Sequence, residues 1–245
     1  MSTNGKPVSI AIVNYKTPDM TRKCLEHLYS NVDLNEVDIW VVDNDSQDDS
    51  VAYLRSVEWI NLIERVPETG EVGRYSHAAA LDCVLDVIET RYILCIHTDT
   101  FIFDGALVPY LVNEISRQGA VAAGVVEQVH RGAVRAAVRR SKYAVKRLSA
   151  KICGKTVKPP KTLLKSHCFI WDADKMKERG VGFSGGYNPG EFAQRSFEAT
   201  GDRVVTLPTG RVFRYMHHVH SGTLVAQGKH SANKRRQMAY AHHVG

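Results

Sequence analysis

VDIWVVDNDSQDDS, running from Val37 to Ser50, sets an apolar, β-branched run directly ahead of a dense acidic turn. A short apolar run bounded by turn residues reads as a buried strand, here Val37–Val42. The polar cluster Asp43-Asn44-Asp45-Ser46 then falls at the strand's carboxyl end. The same pattern occurs on either side of this stretch. Upstream, VSIAIV (Val8–Val13) leads into Asn14-Tyr15, and downstream YILCI (Tyr92–Ile96) leads into His97-Thr98-Asp99. Helical signals separate these strands. Pro18–Asp19 opens a stretch with Met20, Cys24, Leu25 and Leu28 on one face, and Ala79, Cys83, Val84, Val87 and Ile88 share a second face. Val51–Leu54 reads as helix and Asn61–Val66 as a strand. Such alternation predicts an α/β fold with a mainly parallel sheet flanked by helices. Ligands in these sheets sit beyond the carboxyl ends of the strands, where all three polar clusters fall.

The second half is less regular. Helices are expected over Leu107–Ser116, Lys175–Arg179 and Phe192–Thr200, and strands over Ala120–Val126, Ser166–Trp171 and Val204–Leu207. GVGFSGGYNPG (Gly180–Gly190) is a glycine-rich loop, and no internal repeat is present.

With 245 residues, 44% hydrophobic and 24% charged, the composition is that of an ordinary folded domain and argues against wholesale disorder. No apolar run reaches membrane-spanning length. The opening MSTNGKPVSIAIVNY lacks the pattern of a secretory signal. Five cysteines with no CxxC pair argue against a disulfide framework or a zinc-thiolate site. A cytoplasmic protein is therefore expected.

The net charge of +6 conceals a division. Twelve of the 32 Lys and Arg lie between Gln128 and Lys165, with no Asp or Glu among them; the other 20 face 26 acids, a net of −6. Val134, Val138, Val145, Leu148 and Ile152 recur at helical spacing in this insert, beside Arg131, Arg135, Arg139, Lys142 and Lys146. A basic amphipathic helix of this kind suits a peripheral membrane contact at the inner face or an anionic acceptor. Nucleic acid is less favoured, because Tyr143 is the insert's one aromatic and no nucleic-acid module is recognisable. A solvated helix face is the plain alternative.

Several residues could carry chemistry. His97 and Asp99 emerge directly after a strand and offer nitrogen and oxygen ligands for a divalent metal such as Mn²⁺ or Mg²⁺. A turn acid is the plainer explanation. Asp43, Asn44 and Asp45 could bond a base or ribose, or simply shape an Asx turn that Ser50 completes as a helix cap. Glu191, at a helix start, suits the helix dipole or a general base. His217, His218 and His220 lie in YMHHVHSGT; in a strand His218 and His220 would share a face and could join a metal site. The first strand runs into NYKTPD and not into GxGxxG, which disfavours a dinucleotide enzyme.

Taken together, residues 7–225 resemble bacterial glycosyltransferase family 2. VSIAIVNYKTPD resembles its opening strand and nucleotide-contacting loop, and VDIWVVDNDSQDDS is similar to its VVDNxSxDgS segment. ETGEVGRYSHAAALD occupies the place of NxGxxxAxNxG and sets His77 near a polar family position. RYILCIHTDTFIF resembles the strand carrying the DxD motif, with His97 in place of its first Asp and Asp99 retained. GFSGGYNPGEFAQRSFEATGDRVVTLP resembles the acceptor side, with Glu191 at the catalytic base, and YMHHVHSGT resembles a late histidine segment.

The resemblance implies a GT-A (Rossmann-like) domain over residues 1–225, followed by a basic, histidine-containing tail over 226–245. Residues 1–100 would form the nucleotide-sugar half, and 101–225 the acceptor half with the basic insert 128–165. It implies an inverting, hexosyl-type transfer from a nucleotide-diphosphate sugar to a glycan, lipid-linked or protein acceptor. Asn14, Tyr15, Asp43, Asn44, Asp45, His77, His97, Thr98 and Asp99 would contact the donor. Asp99, His97, His218 and His220 would hold the metal. Arg135, Arg139, Lys142 and Lys146 would meet acceptor or membrane. A binding protein that has lost catalysis with the His97 change is the rival on the same fold.

Overall fold

The apolar runs become the strands of a seven-stranded sheet in the computed structural model, which describes residues 6–128 and 162–219 together with Ser141, Val145 and Ser149. In chain order β1 is Val8–Asn14, α1 Pro18–Asn31, β2 Val37–Asp43, α2 Ser50–Arg55, β3 Asn61–Glu64, α3 Arg74–Val87 and β4 Tyr92–His97. There follow β5 (Thr100–Ile102), α4 (Leu107–Gln118), β6 (Ala122–Gly124), β7 (Cys168–Asp172), α5 (Ala173–Arg179), α6 (Glu191–Ala199), β8 (Val204–Thr206), α7 (Thr209–Val212) and β9 (Met216–His218). The sheet order is β3-β2-β1-β4-β7-β6-β8. β7 alone runs against the rest, pairing antiparallel with both β4 and β6. Both halves of the chain thus contribute strands to one sheet.

β1 shows why the fold is layered. Its side chains alternate in direction. Ile10 and Ile12 pack with Met20, Cys24, Leu25 and Leu28 of α1 on one face. Ala11 and Val13 pack with Leu81, Val84 and Leu85 of α3 on the other. A strand apolar on both faces belongs in the middle of a parallel sheet, where β1 lies between β2 and β4. Pro18 starts α1 at a position where its missing N–H costs nothing.

Several expectations shift. The buried face of α3 is Ala78, Leu81, Val84 and Leu85, with Val87 half exposed and Ala79 and Cys83 only partly covered. The bulkier Leu81–Leu85 stripe faces the sheet, because burial scales with apolar area. The strand expected over Ala120–Val126 shrinks to β6, and Ser50 is the first residue of α2, not its cap. The Asp48 carboxylate instead accepts the Ser50 N–H at 2.9 Å. Thr100–Ile102 was expected as no element, yet it forms β5 and pairs antiparallel with β9. Most of the basic insert lies outside the described residues, including Arg135, Arg139, Lys142 and Lys146, as do His220 and the tail 226–245.

Candidate active site

The carboxyl ends of β1, β2 and β4 open onto a cleft of about 570 Å³, lined among others by Tyr15, Thr17, Asn44, His77, His97 and Thr98. That volume is of the size that holds a small-molecule ligand. Three non-glycine residues near its rim have left-handed backbone, Lys16 (φ 54°), Asp45 (φ 60°) and Gln47 (φ 52°). Such conformations persist only where surrounding contacts over-determine them. Here the Lys16 N–H donates to Ser46 Oγ at 3.1 Å, and Gln47 Nε2 donates to Asp45.

Asn14 and Asp43 are the centre of that restraint. Both are buried. Asn14 Nδ2 lies 2.7 Å from Asp43 Oδ1, 3.0 Å from Ser46 Oγ and 2.8 Å from Ser50 Oγ. Its Oδ1 accepts from Thr21 at 2.6 Å and Thr17 at 3.1 Å. Asp43 also accepts from the hydroxyl (2.6 Å) and N–H (3.1 Å) of Ser46. The polar groups of this pair are spent on each other and on the turn. Asn44 is the member of the cluster that lines the cleft. Its Nδ2 donates to Ser76 Oγ at 2.7 Å, and its Oδ1 accepts from Arg65 at 2.8 Å. Arg65 is held in turn by Glu71.

Deeper in the site, His97, Asp99 and His218 bring one ligand atom each to within 4.8 Å of the others. Asp99 sits in the turn between β4 and β5. His218 Nε2 is 3.2 Å and His97 Nδ1 3.8 Å from Asp99 Oδ1. The β5–β9 pairing, which sets Thr100 opposite His218, makes this convergence. The Val219 N–H closes it on the Asp99 carbonyl at 2.9 Å. Below the turn, Cys24 Sγ donates to the Thr100 carbonyl at 3.3 Å, and burial keeps this thiol protonated.

The electrostatics divide the histidines. Burial, then the neighbouring His77, press His97 down to about 3 against the pull of Asp99. Burial lowers His77 to about 4, again opposed by Asp99. Burial also works against the charge on His218, but the Asp99 carboxylate and the Gln128 carbonyl outweigh it and raise its pKa. Two imidazole nitrogens and one carboxylate oxygen make a donor set that suits a divalent transition ion. Bonds of about 2.0–2.2 Å put neighbouring donors about 3 Å apart, close to the 3.2 Å between His218 and Asp99. The residues therefore fit a metal ion.

Glu191 begins α6, at the end of the glycine-rich loop. Gly190 precedes it at φ 74°, a left-handed turn that glycine adopts without strain. A Cβ on Gly186 would lie 2.9 Å from the Glu191 Cβ, so that close approach also requires glycine. Asn188 Nδ2 donates to one Glu191 oxygen at 2.9 Å, and Arg195 pairs with the other. The Asn188 hydrogen bond, then Arg195, lower the Glu191 pKa despite some burial. From α3, Asp82 accepts the N–H groups of Phe183 (2.5 Å) and Ser184 (3.1 Å) and pins the loop. Phe183, fully buried, stacks on Phe169 at 5.6 Å. Pro189 carries the loop to the cleft wall.

Sequence reasoning missed His167 and Ser166. The antiparallel register pairs Ile96 with Cys168, which brings the residues just before β7 beside His97. Ser166 Oγ lies 2.8 Å from His97 Nε2. His167 is fully buried and stacks on His218 at 4.3 Å. A histidine one residue before an apolar strand was the available signal, but strand direction could not be read from it. Arg74, a cleft residue stacked 3.6 Å from the Tyr187 ring, was likewise unmarked.

A mostly parallel α/β sheet with its polar residues gathered at the strand ends defines a class, and the sequence identifies it. The chain belongs to glycosyl transferase family 2, whose sequence model matches residues 9–180. It is similar to the mannosyltransferase PcManGT from Pyrobaculum calidifontis, solved with GDP-Man and Mn²⁺: TM-score 0.59, 17% identity, covering 83% of this chain and 55% of that one. It is also similar to S. aureus TarS 1–349: TM-score 0.54, 14% identity, covering 82% of this chain and 58% of that one. A third is Mycobacterium tuberculosis glucosyl-3-phosphoglycerate synthase with Mn²⁺, UDP and phosphoglyceric acid: TM-score 0.53, 16% identity, 82% of this chain and 68% of that one. At these identities the likeness is one of fold, the GT-A fold. The chain spans little more than half the length of the first two. No curated protein sequence matches it. Among the described residues, no helix is long and apolar enough to cross a membrane.

Proposed function

We propose that this chain is an inverting glycosyltransferase that moves a hexosyl group from a nucleoside-diphosphate sugar to an acceptor hydroxyl, with help from a divalent metal. The observation that carries the reading is the convergence of His97, Asp99 and His218 beside a cleft at the carboxyl ends of β1, β2 and β4. Family membership and a fold shared with proteins solved with GDP-Man or UDP support it.

Tyr15, Asn44, His77, His97 and Thr98 contact the donor. Asn14 and Asp43 hold the turn that presents Asn44, and Asp45 lies at its rim. The metal, held by His97, Asp99 and His218, would neutralise the charge that develops on the departing diphosphate. Glu191 accepts the proton of the acceptor hydroxyl while that oxygen bonds to the anomeric carbon and the bond to the diphosphate breaks on the opposite face. Asn188 and Arg195 lower its pKa and hold it as the carboxylate at neutral pH. Asn188 and Arg195 aim its two oxygens. Arg135, Arg139, Lys142 and Lys146 serve a glycan, lipid-linked or protein acceptor, or a membrane surface that presents it.

A screen of nucleotide sugars with Mn²⁺ by thermal shift identifies the donor, since a ligand bound to the native state raises the melting temperature. Glu191→Gln should then cut transfer about 10²–10⁴-fold, the range for loss of a general base, with donor affinity unchanged. Full transfer by the variant would remove Glu191 from the mechanism. Nucleotide binding with no turnover on any acceptor or water would favour a binding protein on this fold. Charge reversal at the four basic positions should weaken acceptor use and spare donor binding.

A further inference from the structure

We propose that Arg74, laid on the ring of Tyr187, binds an acid group of the acceptor, so that the preferred acceptor is a hydroxyl compound that also carries a phosphate or a carboxylate. This rests on the glycosyl-transfer reading above and adds to it the chemical class of the acceptor.

Arg74 is an unspent cation. It is the first residue of α3 and lines the cleft. Its guanidinium carbon lies 3.6 Å from the centre of the Tyr187 ring and 5.8 Å from that of Tyr75. Among the described residues, no hydrogen bond or ion pair engages its nitrogens. The other arginines around the site are committed, Arg65 to Glu71 and Asn44, and Arg195 to Glu191. At 3.6 Å the guanidinium lies over the Tyr187 ring, whose negative face attracts it. A guanidinium on a ring keeps its N–H groups in its own plane, pointing outward past the ring. That planar fork matches two oxygens of a carboxylate or phosphate, which it binds through paired hydrogen bonds.

The contact with Tyr187 sets this cation on the acceptor side. Tyr187 lies in the glycine-rich loop, four residues before Glu191. Asp82 holds the Phe183 and Ser184 N–H groups of that loop, and the Gly190 N–H donates to the Phe183 carbonyl at 2.8 Å. Arg74 thus joins α3 to the loop that carries the base. The charge of the donor's diphosphate is met at the cluster after β4, which leaves Arg74 for a second anion. An acid group seated on Arg74 holds its own molecule against the loop, with a hydroxyl left to reach Glu191. The charge pattern agrees. The run of twelve Lys and Arg without an acid, from Gln128 to Lys165, lies in the half of the chain that carries Glu191, and such a field draws anions. Tyr187 is 60% exposed, so the ring and its arginine are open to a ligand. It is a positioning residue, which touches no reacting atom and holds the fork of Arg74 outward.

The test uses the full chain with Mn²⁺, UDP-glucose or GDP-mannose as donor, and two matched pairs of acceptor probes. These are glucose against glucose 6-phosphate, and methyl glucoside against methyl glucuronide. Transfer is read as kcat/KM, and binding by calorimetry with UDP or GDP present. The acidic member should be preferred about 10–100-fold, the range for hydrogen bonds between charged groups. Arg74→Gln should abolish that preference and leave UDP and GDP affinity unchanged. Tyr187→Leu should lower the preference through the KM of the acidic probe, and Tyr187→Phe, which keeps the ring, should retain it. A merely structural role for Tyr187 would move acidic and neutral probes alike. Arg74 and Tyr187 are both exposed, so these substitutions leave the core untouched. No preference for the acidic member of either pair would overturn the proposal and leave the glycosyltransferase standing. An equal loss of UDP or GDP affinity in Arg74→Gln would also overturn it, by assigning the arginine to the diphosphate. If no donor is consumed with any probe, the glycosyl-transfer reading fails by itself, and the binding ratio still decides the role of Arg74.

Discussion

The polar cluster at the ends of β1 and β2 and the cluster at the end of β4 are built on opposite terms. Asn14 and Asp43 bond each other and the hydroxyls of Thr17, Thr21, Ser46 and Ser50. His97, Asp99 and His218 instead turn three ligand atoms toward one point. A self-satisfied buried network stiffens the backbone around it. The Asp99 carboxylate favours a proton on His218, in a donor set that a divalent ion could take up instead. The first cluster therefore shapes the site, and the second offers ligand atoms that fit a metal ion.

Four measurements sharpen or break that contrast. Asp99→Asn carries the largest effect. Transfer should fall about 10²–10³-fold through lost charge stabilisation at the leaving group, while the metal-free protein loses only the support that Asp99 gives to protonated His218. A large loss of stability would make Asp99 a structural acid. Asn14→Leu should do the reverse to the fold. It strands several buried acceptors and donors, at about 1–3 kcal/mol each, and urea unfolding should register about 3 kcal/mol. Unchanged stability would show that the network holds nothing.

The pH dependence of the metal-free protein comes next. Folded His77 and His97 have lowered pKa values, about 4 and about 3. Their contribution is present above the ordinary histidine value of about 6.5 and is lost as pH falls toward those folded values. His218 is raised, so its contribution is present below that ordinary value and is lost as pH rises through its folded pKa. Stability in chelator should therefore drop on acidification below about pH 6.5, and His77→Gln should shallow the drop. A flat profile would contradict the division among the histidines. The smallest effect is at the loop. Asp82→Ala removes the acceptor of the Phe183 and Ser184 N–H groups, costing about 1–2 kcal/mol. It should disturb acceptor use more than nucleotide binding, and an equal loss of both would uncouple the loop from the acceptor.

Much of this was legible in the chain because it is local. Continuous apolar runs marked β1, β2 and β4, and a polar residue directly after a strand must emerge at the sheet edge. Hence Asn14, Asp43, Asn44, His97 and Asp99 could all be singled out. Of the face expected for α3, Val84 and Ile88 are buried, but Ala79, Cys83 and Val87 have the same spacing as the Leu81–Leu85 stripe, and only the sheet chooses between two such faces. Glu191 was visible as an acid before a helix, but its clamp by Asn188 and Arg195 was not.

The sequence by itself determined the alternation of strands and helices, the family, and which residue types end each strand, since all of these depend on patterns within a few residues. Only the tertiary structure decided that His218 meets Asp99 and that Ser166 and His167 stand beside His97. Those meetings depend on the antiparallel pairing of β5 with β9 and of β4 with β7. Strand direction and register are set by how the whole sheet buries its two faces, a choice that no short stretch of chain makes alone.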